Sequence, residues 1–66
     1  MDIQQYEISR YGRELSADVK KLVDKYLSIA DWDIPENDDA YTVNLIIQLI
    51  RHNLDKIEQE WKAKED

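Results

Sequence analysis

Apolar side chains recur at helical intervals in two long stretches of this chain, with a short segment of different rhythm between them. In the first stretch Ile8, Leu15, Leu22 and Ile29 are spaced by multiples of seven, and Val19 and Tyr26 fall between them at the alternate three-or-four spacing. Such a pattern puts one apolar face on a helix. The second stretch is more regular: Val43, Ile47, Ile50, Leu54, Ile57 and Trp61 step by 4, 3, 4, 3 and 4, as a single stripe along a long helix does.

Local signals set the ends of these helices. Asp2 followed three residues later by Gln5 resembles a capping box with Asp as first member, so a helix is expected to begin at Ile3. Gly12 interrupts its stripe. Glycine inside a helix costs about 1 kcal/mol relative to alanine, so the first helix is expected over 3–30 with a kink or break at Gly12. The second helix is expected over 39–64. On its polar face Arg51/Asp55, Lys56/Glu60, Glu58/Lys62 and Glu60/Lys64 stand at i,i+4, where each pair adds a few tenths of a kcal/mol.

Residues 31–39 read Asp-Trp-Asp-Ile-Pro-Glu-Asn-Asp-Asp. Pro35 stops a helix and biases Ile34 towards an extended backbone. Asp38 or Asp39 then caps the next helix, where negative charge is favourable. As a joint, this segment would fold Trp32 and Ile34 inward over the end of the helix pair.

The expected fold is therefore all-α: an antiparallel hairpin of two long helices in one domain spanning 1–66, with an acidic connection at 31–39. Two helices shield each other along one side only. Near the connection, however, Leu22, Val23, Tyr26, Leu27, Ile29 and Ala30 wrap most of the first helix, and Val43, Leu45, Ile46, Ile47, Leu49 and Ile50 most of the second. This half needs a second neighbour. A second copy would complete a four-helix bundle; the alternative is a three-helix monomer with residues 3–11 folded back at Gly12. The packing positions are expected to be Leu22, Tyr26, Ile29, Val43, Ile46, Ile47, Ile50, Leu54, Ile57 and Trp61.

Length and composition strengthen the case for association. A chain of 66 residues buries only about 60% of its unfolded surface when it folds alone. Chains of this size draw support from disulfides, metals or partners, and without cysteine disulfides and thiolate metal sites are excluded. The longest apolar run, Leu45-Ile46-Ile47, is far short of the roughly 20 residues that span a bilayer. The acidic N-terminus does not resemble a signal peptide. A cytoplasmic protein with no membrane role is expected.

Charge is concentrated in one place. Residues 1–30 sum to zero, 31–39 contribute −5 and 40–66 contribute −1 to the net −6. One helix cap uses one or two carboxylates, so five acids in nine residues exceed what a joint requires. The surplus makes Asp31, Trp32, Asp33, Glu36, Asp38 and Asp39 candidate partner-binding residues, the acids attracting a basic protein surface and Trp32 serving as an aromatic anchor. A calcium loop fits poorly. Asp31, Asp33 and Asp39 match its first, third and ninth positions, but Pro35, Glu36 and Thr42 occupy the fifth, sixth and twelfth, where a ligand, a glycine and a glutamate belong.

Other chemistry lacks its residues. His52 is the single histidine and lies off the apolar stripe, no cysteine nucleophile exists, and no glycine-rich turn is present to cradle phosphate. Arg10, Arg13, Lys20 and Lys21 are interleaved with Glu7, Glu14, Asp18 and Asp24, so no basic stripe stands clear for nucleic acid. Leu54-Asp55 is similar to a pair on the second helix of short helical-hairpin regulators, but Arg51, His52 and Asn53 before it do not fit, and no family is assigned. The expected function is non-catalytic, without cofactor or metal: a small acidic helical homodimer acting through protein–protein interaction as a regulator, inhibitor or accessory factor. The alternative is a nucleic-acid-associated helical dimer.

Overall fold

A computed structural model describes residues 2–65, which form three helices: α1 (Ile3–Arg10), α2 (Gly12–Asp33) and α3 (Asp39–Lys64). The chain is all-α among the described residues, and no helix is long and apolar enough to cross a membrane. Both expected caps form. Asp2 accepts a hydrogen bond from the Gln5 backbone N–H at 2.7 Å, and Asp38 accepts from that of Tyr41 at 3.2 Å, each supplying an acceptor for an N–H with no intrahelical partner.

The first predicted helix is divided in two. Tyr11 has φ −79 and ψ −5, its N–H bonds back three residues to the Ile8 carbonyl at 3.0 Å, and the four-residue spacing resumes with Leu15 to Tyr11 at 2.8 Å. The interruption falls at Tyr11–Gly12, where the sequence placed its weak point. It does not fold the chain back: among the described residues α1 touches α2 and makes no approach to α3. The fold-back monomer is thus not formed. At the other end α2 runs past Ala30 to Asp33, because Ile34 becomes extended (φ −116, ψ 112) only directly before Pro35.

Packing between α2 and α3 is restricted to the halves next to their connection. Val23, Leu27 and Ala30 of α2 are half-buried, as are Thr42, Val43, Ile46, Ile47 and Ile50 of α3, whereas residues 8–22 and 51–65 are exposed throughout. No described residue is fully buried. The seam on α3 follows the predicted stripe. On α2 it does not: at about 100° per residue, Val23, Leu27 and Ala30 lie roughly 90° around the helix from the Leu15–Leu22–Ile29 stripe.

Of the four i,i+4 pairs on α3, Glu58–Lys62 forms, at 3.4 Å. Lys64, instead of pairing with Glu60, sits over the Trp61 ring at 4.5 Å, a cation–π contact.

Candidate functional site

Two surfaces carry the features that the sequence singled out. The first is the connection between α2 and α3, which is built around Asn37. Its side-chain N–H group donates to Asp31 Oδ1 at 2.8 Å and to Asp39 Oδ1 at 3.3 Å, and its Oδ1 accepts from the Thr42 hydroxyl. One amide therefore ties the last turn of α2 to the first turn of α3. Asparagine suits this position because a single side chain offers two donors and an acceptor. Its role was not read from the sequence, where the signal was an uncharged amide set among five acids.

Glu36 adopts φ 56. This left-handed conformation is one that a residue with a Cβ adopts only at a cost. It reverses the chain between the extended Ile34 and the cap at Asp38.

Of the five acids of residues 31–39, now shared between the end of α2, the connection and the start of α3, three act structurally: Asp38 caps α3, while Asp31 and Asp39 share the Asn37 amide. The hydrogen bond from Asn37, and then that with Asp39, hold the Asp31 carboxyl below its ordinary value. Asp39 is pushed up, first by its hydrogen bond with Asp31, then by desolvation and the Asp31 charge, with Asn37 acting in the opposite sense. Of the two, Asp39 takes up a proton first as pH falls. Asp33 and Glu36 form no side-chain hydrogen bond or ion pair with any described residue. Among the described residues no three acidic or histidine side chains converge as metal ligands would.

Trp32 departs from the expectation for a joint. It is 90% exposed, and Ile34 is exposed as well, so neither folds inward over the helix ends. The reason is angular: Trp32 lies about 160° around α2 from Ala30 and Val23 lies near Ala30, so the seam and the indole occupy different sides of the helix.

The second surface is an apolar groove of about 440 Å³ where α2 and α3 part. Leu22 and Tyr26 line it from α2, and Ile46, Leu49, Ile50, Asn53, Leu54 and Ile57 from α3. The packing positions expected from sequence thereby divide in two. Val43, Ile46, Ile47 and Ile50 are half-buried, but Leu22, Tyr26, Ile29, Leu54, Ile57 and Trp61 are 40–62% exposed. Those six do not form a core within one chain, because α2 presents its neighbouring Val23–Leu27–Ala30 flank to α3. Leu49 and Asn53, both absent from the expected packing set, belong to the groove.

The chain as a whole is open as well. Its accessible surface is 6385 Å² for a 7.9 kDa chain, whereas a compact monomer of that mass exposes about 4,400 Å². The excess is about 2,000 Å².

Compared with protein-family models, with curated proteins and with solved structures, the chain matches none of them.

Proposed function

We propose that the protein is a non-catalytic, self-associating antiparallel helical hairpin that acts by binding another protein. In this reading two copies pack groove to groove into a four-helix bundle. The excess of accessible surface carries it. Covering half of that excess in each chain would bury about 2,000 Å² per pair, above the roughly 1,600 Å² of an ordinary interface and at the lower bound of obligate homodimers. The exposed stripe of Leu15, Val19, Leu22, Tyr26 and Ile29, turned away from the α2–α3 seam, is the face that a second copy would cover. Sedimentation at micromolar concentration tests the reading: a dimer is expected, and a stable monomer rejects it.

In the same reading the acidic connection is presented at the ends of the bundle to a basic surface on the partner. Support comes from Trp32, whose exposed indole is available as an anchor, and from Asp33 and Glu36, which the connection does not use internally. Asp31, Asp38 and Asp39 add to the negative field while holding the turn in shape. Affinity capture from the native host tests this with three baits: wild type, W32A, and a D31N/D33N double variant. A protein retained by wild type and lost from both variants is expected. Equal recovery on all three baits ends the docking hypothesis. The W32A chain should keep the wild-type melting temperature, because exposed substitutions change stability by no more than about 0.5 kcal/mol.

A further inference from the structure

We propose that Asn53 sets the register of the homodimer by pairing its side-chain amide with that of the partner's Asn53 across the two-fold axis; this rests on the groove-to-groove association proposed above. Asn53 is the one polar side chain that α3 contributes to the described lining of the groove, where α2 adds the phenol of Tyr26. On α3 the five apolar lining residues, Ile46, Leu49, Ile50, Leu54 and Ile57, span an arc of about 140° at roughly 100° per residue. Asn53 falls inside that arc, about 30° from its middle. It is therefore an interruption of the apolar face and not a residue of its polar margin.

Its position along the helix matters equally. The groove runs on α3 from Ile46 to Ile57, so its midpoint lies between Arg51 and His52, and the lining residues on either side are Ile50 and Asn53. Ile50 is half-buried, while Asn53 is exposed. In an isologous pairing, residues beside the two-fold axis meet their own copies, and Asn53 is the exposed lining residue nearest the middle.

The chemistry of the amide suits self-pairing. Asn53 Nδ2 donates to the Leu49 carbonyl at 2.8 Å, which uses one of its two N–H donors and leaves the second, together with Oδ1, free of partners among the described residues. Covering the groove with apolar side chains would strand both. Two asparagines related by a two-fold satisfy each other, each N–H donating to the other Oδ1, but only when the helices are in the matching register. A leucine would pack as well in any register. The Asn53 pair thus favours one alignment at some cost in stability, as a single buried asparagine does in coiled coils.

The test uses the full chain. Because it contains no cysteine, N53C and Q59C each introduce a single thiol; position 59 lies about 150° from the middle of the lining arc and serves as the outward control. Under mild oxidation at micromolar concentration, N53C is expected to form a disulfide-linked dimer roughly a hundredfold faster than Q59C, since a thiol held beside the axis experiences a millimolar effective concentration of its twin. N53L is expected to melt above wild type while sedimenting as a mixture that includes species larger than the dimer. Equal cross-linking rates for N53C and Q59C in a dimeric protein overturn the inference and leave the dimer standing. So does N53L sedimenting as the same single species as wild type. A monomeric wild type overturns the association itself, and this inference with it.

Discussion

Leu49, which lines the groove, distinguishes a lone chain from an associated one. In the single chain it is 63% exposed, so truncation to alanine removes only the smaller, covered part of its packing, and alanine is at least as good a helix former as leucine. A monomer would therefore lose no more than about 0.5–1 kcal/mol to L49A, independent of concentration. In the proposed dimer the exposed portion is covered. Burying a whole leucine side chain is worth about 1.5–3 kcal/mol, and the fraction still exposed scales this to about 1–2 kcal/mol per copy, or about 2–4 kcal/mol for both. At 1.4 kcal/mol per decade, the dimer dissociation constant should rise by between about 30-fold and about 1,000-fold. Sedimentation equilibrium over a dilution series measures this directly. Thermal melts at the same concentrations provide a second measure, since the melting temperature of a dimer rises with concentration. If L49A has the same mass and melting temperature as wild type at every concentration, the groove is not an interface.

Four further substitutions test the connection and the helix break. T42V keeps the side-chain shape but removes the hydroxyl that donates to Asn37; a loss of about 0.5–1.5 kcal/mol is expected in chemical denaturation, and an unchanged midpoint would show that the Asn37 bridge does not fasten the turn. D39N tests the raised Asp39 carboxyl. A folded-state value above the unfolded one favours folding below the ordinary value of 3.8 and loses that benefit as pH rises through the folded value, so D39N should melt above wild type at neutral pH and converge with it in acid; a gap that does not change on acidification refutes the assignment. E36G should stabilise the chain by about 1 kcal/mol, because glycine adopts the positive φ of Glu36 without the Cβ clash, and a fall in melting temperature would contradict that account. At Gly12 a Cβ would meet nothing within 4 Å and φ is not positive, so G12A should stabilise by about 0.4–1 kcal/mol; destabilisation would mean that the break requires glycine.

The starts of α1 and α3 were legible in the sequence because they depend on neighbours in the chain. Asp2, Pro35 and Asp38 act over three or four residues, and the helices begin at Ile3 and Asp39 as those residues indicate. The stripe on the second helix was legible too, since one periodic face reports which side seeks cover. What seven-residue spacing cannot report is which neighbour provides it. On α2 both the Leu15–Leu22–Ile29 stripe and the Val23–Leu27–Ala30 flank are apolar, and periodicity ranked the longer one first. The structure assigns the flank to α3.

The candidate site divides in the same way. Its acids and its tryptophan were visible as composition, but the amide that organises them was not, since the Asn37 bonds to Asp31 and Asp39 exist only once the chain has turned. Sequence by itself determined the helical content, the two long apolar faces, the capped starts and the place of the negative charge, all products of local backbone and side-chain preference. Tertiary structure alone decided the rotation of α2 against α3, and with it the exposure of Trp32 and the open groove. A connection of five residues, 34–38, sets that rotation through its backbone angles, and helical period carries no information about them.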